Sequence, residues 1–315
     1  MNLKCKNKIE NFLTKKNLVD SNNILELFTE QNLENIIDKL ESLPQDKLTD
    51  FALECVCEEL LITASYKIER TGMKLGLHRM EYILELFNYP EKDLKVIHVA
   101  GTNGKGSTCS YIKDVLKTKY RVGLYSSPGM LSFNDRIRIN DDFIPYKEAY
   151  RLYKEVAKVY DANNHDPSDK LSFFEIITAV ALLYFKDQKT DFVIMEVGLG
   201  GRYDGTNIFK EKLLSIITKI GLDHTAILGD SLEKIAYEKA GIIQENDNVL
   251  IYPANDSIVD VISNICKEKN AKLSILDENN IEIKDIGANG NKFSFRNIDY
   301  TTKMVGQHQI CNASL

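Results

Sequence analysis

Lys95–Ser107 reads KVIHVAGTNGKGS, and this stretch decides the fold. Lys95–Ala100 is a short β-branched run, Gly101-Thr-Asn-Gly-Lys-Gly-Ser107 is a glycine-rich turn, and a helical pattern follows from about Ser107 to Lys117. A strand that passes through glycines into a helix suits an anion. The backbone can turn its amides toward it, Lys105 adds a point charge, and the helix N-terminus adds its dipole. Gly101, Thr102, Asn103, Gly104, Lys105, Gly106 and Ser107 are therefore the candidate phosphate-binding residues. The spacing departs from the general phosphate-loop pattern, because Gly101 stands closer to Gly104 than that pattern asks and Gly106 separates Lys105 from Ser107.

On either side of this turn the chain alternates strand and helix. Arg121–Ser126, Phe192–Val197, Leu214–Lys219, Asn248–Tyr252 and Lys272–Leu276 read as strands. Leu171–Asp187 reads as a helix with Ser172 and Glu175 at capping-box spacing, Asp230–Ala240 as another with Asp230 and Glu233 spaced likewise, and Ile258–Lys269 as a third. Apolar strands alternating with helices predict an α/β fold, a mostly parallel sheet with helices on both faces, and ligands beyond the carboxyl ends of the strands. Ile281–Val305 breaks the pattern with short alternating runs among turn residues, which predicts a small antiparallel ribbon at the sheet's edge. Residues 1–60 carry apolar residues at helical spacing and read as a helical N-terminal extension.

Composition excludes several classes of function. The net charge of −6 supplies no basic excess to neutralise nucleic-acid phosphates. No apolar run is long enough to span a bilayer, and the N-terminus lacks the apolar stretch of a signal peptide, so a soluble, cytoplasmic protein is expected. Cys5, Cys55, Cys57, Cys109, Cys266 and Cys311 are scattered, and the lone C-x-C has no second pair to build a zinc site, so reduced thiols are expected.

The turn and the blocks that follow it resemble the Mur ligase superfamily, and within it the folylpolyglutamate synthase/dihydrofolate synthase branch, where a glycine stands between the lysine and the serine. Lys74-Leu-Gly-Leu-His-Arg-Met80 resembles the K-L-G-L-E-R-[IM] segment of that branch, and Tyr125-Ser-Ser-Pro128 with Phe133-Asn-Asp-Arg-Ile137 resembles Y-[ST]-S-P…F-x-E-R-I. Glu196-Val-Gly-Leu-Gly-Gly-Arg-Tyr-Asp-Gly-Thr-Asn207 resembles E-V-G-L-G-G-R-x-D-A-T-N. Ile220–Thr225, Glu238–Ile242 and Gly306–Gln309 with Asn312-Ala313 resemble A-L-D-H-T, E-K-A-G-I and the G-x-H-Q…N-A that joins two domains. Gly129 stands where many relatives have His, Asp135 where they have Glu, and Gly205 where they have Ala.

The resemblance implies a phosphate-loop Mur-ligase domain over residues 61–304. It implies that residues 305–315 begin an interdomain linker, and that the chain stops where a glutamate-binding domain should follow. It implies an ATP-dependent ligase adding L-glutamate to dihydropteroate or folate through an acyl phosphate, acting as a monomer. Lys105, Lys239 and His224 would be catalytic, and Asn312 would join the loop in binding ATP. Two Mg²⁺ sites would draw on Ser127, Glu196, His224 and a carbamylated Lys239. Ser172, Phe173, Phe174, Glu175, Tyr203, Asp204 and Gly205 would face the pterin-bearing substrate. Read bare, Lys239 is a solvated lysine near a helix C-terminus, and Ser172 with Glu175 is a capping box over core phenylalanines. A nucleotide-binding fragment without catalysis and another Mur-type amide ligase remain the alternatives.

Overall fold

The computed structural model describes residues 76–315 apart from 131, 164, 165, 167 and 168, together with Glu58, Leu61 and Ile62. The helices expected over residues 1–60 otherwise lie outside the described residues, as do Lys74, Leu75, Cys5, Cys55, Cys57 and His165.

An eight-stranded sheet organises the fold. Its strands are β1 (Val96–Ala100), β2 (Val122–Tyr125), β3 (Ile137–Ile139), β4 (Asp142–Phe143), β5 (Phe192–Glu196), β6 (Leu214–Ile217), β7 (Asn248–Ile251) and β8 (Lys272–Ile275), in the order β4-β3-β2-β5-β1-β6-β7-β8. The six strands from β2 to β8 in that order are parallel, and β3 and β4 add an antiparallel edge. Alternate residues point to opposite faces, as the period of a strand requires. Val99, Val122, Leu124, Ile194 and Ile216 cluster with Cys109 of the helix Lys105–Leu116. On the other face Val96, Tyr125, Val193 and Met195 pack with the helices His78–Leu86, Tyr146–Asn163 and Phe173–Asp187. Ala100, Ile217, Val249 and Ile251 pack there with the helices Leu232–Ala240 and Asp256–Glu268. Both faces are covered, as the apolar strands demand.

The strands follow the sequence reading to within a residue or two at their ends, and the capping box of Ser172 and Glu175 is present on both sides of its exchange. One reading needs correction. The helix Leu232–Ala240 is capped by Ser231, whose hydroxyl accepts the Lys234 amide, while Asp230 pairs with the Lys234 side chain at 2.8 Å. A serine one position nearer the helix outcompetes the aspartate. The expected antiparallel ribbon is present as a sheet of its own, β9 (Ile281–Gly287), β10 (Gly290–Phe295) and β11 (Ile298–Thr302) in the order β11-β10-β9. The 3₁₀ turn Glu278–Asn280 joins β8 to β9. Residues 308–314, within the stretch expected to begin a linker, form a helix that packs on Lys105–Leu116. Among the described residues no helix is long and apolar enough to cross a membrane.

Candidate active site

The parallel register builds the site. Val99 lies beside Glu196 and Ala100 beside Ile217, so the glycine turn leaves β1 between the ends of β5 and β6. Gly101 and Gly104 hold φ of 144° and 90°, a region that side chains disfavour. A Cβ would also collide there, 1.9 Å from Thr218 Oγ1 at Gly101 and 2.4 Å from Asn312 Oδ1 at Gly104. The turn is stitched to the segment after β6. The amides of Thr102 and Asn103 donate to the Lys219 carbonyl, and Thr102 Oγ1 bonds with Gly221. Those two amides are thereby engaged within the protein. The amides from Gly104 to Ser107 precede the first helical bond, Thr108 to Gly104, and are the ones the helix leaves open to an anion.

Two lysines converge on one backbone oxygen. Lys105 Nζ donates to the carbonyls of Gly101 at 3.0 Å and Thr102 at 3.3 Å, and Lys239 Nζ donates to Gly101 at 2.8 Å. Lys239 is buried at 3% exposure, which replaces the reading of a solvated lysine at a helix end. Burial lowers its amine to about 8, and the charge of Lys105 adds to the shift. Its helix is held tightly, since a Cβ on Gly201 would lie 2.7 Å from the Lys239 carbonyl and one on Gly241 2.4 Å from Arg202 Cβ.

Glu196 ends β5 beside the turn, where a Cβ on Gly106 would stand 3.6 Å from its carboxylate. It makes no ion pair with a described residue. Burial pushes the carboxyl up to about 7, against the pull of Lys105, the Ser127 amide and Arg138. Ser127 and Glu196 thus meet through the Ser127 backbone amide. His224 does not join them by any contact; it has a left-handed backbone, is more than half exposed, and faces Asp223 at 3.7 Å. Among the described residues no group of three His, Cys, Asp or Glu could hold a metal. Magnesium does not require one, because it takes one or two carboxylates, keeps waters and is completed by phosphate oxygens. A buried carboxylate with no ion pair beside a phosphate turn fits that ion. Lys239 as an ammonium has three donors and no lone pair, so in that form it cannot ligate a cation.

The residues expected to face a substrate are mostly occupied. Glu175 receives Arg79 at 3.0 Å and the Ser172 amide at 2.7 Å. The buried Asp204 carboxylate accepts the amides of Leu199 and Thr206 and the Thr206 hydroxyl, so it braces its own loop. Phe173 is core, against Phe133 at 5.5 Å, while Phe174 lies under Gly198 and Gly205 and against Tyr125. Tyr203 is half exposed and free to meet a ligand. Sequence reading gave no part to Arg79, although it lies inside a matched block, nor to His98, which is fully buried and joined to Thr206 at 2.9 Å.

A parallel sheet, a glycine turn entering a helix, and a buried acid at the neighbouring strand's end define a phosphate-loop α/β domain. The Mur ligase middle domain matches residues 99–315, and the chain belongs to that family. The dihydrofolate synthase/folylpolyglutamate synthase of Bacillus subtilis is 39% identical over 252 residues, 78% of this chain and 58% of that protein. The folylpolyglutamate synthase of Thermotoga maritima superposes with a TM-score of 0.72 at 30% identity, covering 81% of this chain and 60% of its own. A structure described as an FPGS-AMPPCP-folate complex gives 0.70 at 27%, covering 80% and 65%. The chain spans about three fifths of the length of these proteins.

Proposed function

We propose that this chain supplies the ATP-binding part of a ligase that adds L-glutamate to dihydropteroate, to folate polyglutamates, or to both. The observation that carries the reading is the convergence of Lys105 and Lys239 on the Gly101 carbonyl beside the buried Glu196. Two cations sharing one neutral oxygen repel each other, so an anion entering the turn relieves the contact by taking Lys105. The turn's open amides and the helix dipole would hold the phosphates in line, and Asn312 would close over Gly104. The substrate carboxylate would then attack the γ-phosphorus, ADP would leave, and the glutamate amine would attack the acyl carbon with loss of phosphate. Mg²⁺ held at Ser127 and Glu196 would neutralise the phosphoryl oxygens.

A second ion would take His224 together with a carbamylated Lys239. The buried position of Lys239 supports this, since a neutral amine nitrogen can bond to the carbon of carbon dioxide and release a proton. Tyr203, half exposed, would be the aromatic side chain that meets a pterin. Residues 61–304 would form the nucleotide domain, with 305–315 beginning the connection to a second one, and the chain would act as a cytoplasmic monomer. The test is calorimetric titration with Mg-AMPPCP. Lys105→Ala should lower affinity at least tenfold with an unchanged melting midpoint, and equal affinity would overturn the reading. Turnover with dihydropteroate, folate and glutamate separates an enzyme from a binding fragment.

A further inference from the structure

The helix His308–Ser314 lays two side-chain amides against the phosphate turn. Gln309 Nε2 donates to Ser107 Oγ at 3.2 Å, and Gln309 Oε1 accepts from Asn312 Nδ2 at 3.1 Å. Asn312 is 5% exposed, and its backbone carbonyl accepts the Thr108 hydroxyl at 3.4 Å. Its side-chain oxygen stands over Gly104 so closely that a Cβ there would lie 2.4 Å away. Asn312 is therefore fixed from two sides, and it fixes Gln309 in turn. A side-chain amide has one donor end and one acceptor end. With Oε1 engaged by Asn312, the NH₂ end of Gln309 must face Ser107.

The consequence falls on the serine hydroxyl. It has one hydrogen and two lone pairs, and Gln309 occupies one lone pair. Its hydrogen is left to donate elsewhere, in the first turn of the helix where phosphate would lie. We propose that Gln309 is a positioning residue that acts through Ser107, holding the hydroxyl hydrogen turned toward a nucleotide phosphate oxygen. The proposal rests on the nucleotide-binding reading above. It assigns to the Asn312–Gln309–Ser107 relay a task beyond holding the helix in place.

A double-mutant cycle on the 1–315 chain tests it, with Mg-AMPPCP affinity from calorimetry and melting midpoints as the folding control. Gln309→Ala should weaken binding about fivefold, the worth of one hydrogen bond. Ser107→Ala should weaken it by as much or more, and the double variant should bind no worse than Ser107→Ala alone. Gln309→Glu should bind worse than Gln309→Ala, because a carboxylate would take the hydroxyl hydrogen and add a negative charge. Unchanged affinity for Gln309→Ala, or losses that multiply in the double variant, would reduce Gln309 to a latch for its helix and overturn the proposal. Failure of the unsubstituted chain to bind Mg-AMPPCP would overturn the nucleotide reading and this proposal together, a different result from either of those.

Discussion

Both ends of the same sheet bury a lysine, and they treat it differently. At the amino ends of β6 and β7, Lys212 bonds the Ile242 carbonyl and lies 3.2 Å from Asp247, which also receives the Ser215 hydroxyl at 2.6 Å. At the carboxyl ends, among the described residues, Lys239 hydrogen-bonds only the Gly101 carbonyl, shared with a second lysine, and Glu196 makes no ion pair. Burial lowers both Lys212 and Lys239 to about 8, so the shift alone does not tell them apart. The partners do. A buried charge given its counter-charge is part of the architecture, whereas buried charges left without one mark where a ligand completes the site.

Breaking the paired end should have the largest effect. Asp247→Ala strands Lys212 in the interior and should destabilise the chain by about 3–5 kcal/mol in urea denaturation. A loss below about 1 kcal/mol would remove the contrast. At the other end removal should stabilise the ligand-free chain. Glu196 has a folded pKa near 7, raised from 4.5, so the folded state holds the proton more tightly. Stability is then full below pH 4.5 and falls as pH rises through about 7, by about 2–3 kcal/mol. Glu196→Gln should flatten that slope and be more stable than the parent at pH 8; a parallel pair of pH–stability curves would contradict this.

Lys239 carries the opposite sign. Its folded pKa near 8 lies below 10.5, so stability is full above pH 10.5 and is lost as pH falls through about 8. Lys239→Met should gain about 1 kcal/mol at pH 7, after the lost hydrogen bond is offset, and the gain should shrink toward pH 10. A gain that did not vary with pH would show that the amine is not held uncomfortably. The smallest effect lies on the helix that carries Lys239. Ser231→Ala should cost about 1 kcal/mol as a lost cap, and Asp230→Ala should leave the melting midpoint where it is. The reverse order would restore Asp230 as the cap.

The legible part of the site was the part made of neighbours. Gly101–Ser107 announces itself because turn, charge and helix start are consecutive, and Ser172 with Glu175 because a cap spans one turn. The same local logic misassigned the cap at Asp230, where two adjacent residues compete for one role. Ile137–Phe143 gave no expectation, since β3 is only three residues long and β4 two, too short to show a period, whereas the helix Tyr146–Asn163 was long enough to read and was missed. The substrate residues were read from a motif that could not show their other obligations. Glu175 is committed to Arg79, 96 positions away, and Asp204 to the amides of its own loop.

Taken alone, the order of residues determined the parallel α/β layering, the phosphate turn, the helix caps nearest their partners, and the family. Apolar period and capping act over a few residues, so they are written along the chain. Tertiary structure decided what the charges meet. Lys239 reaches Gly101 across 138 positions and Gln309 reaches Ser107 across 202. Those encounters depend on strand register and on which helix packs where, and no spacing along the chain encodes either. For that reason a lysine that reads as solvated turns out to be buried against the phosphate turn, and two carboxylates expected at the substrate are found holding Arg79 and the amides of their own loop.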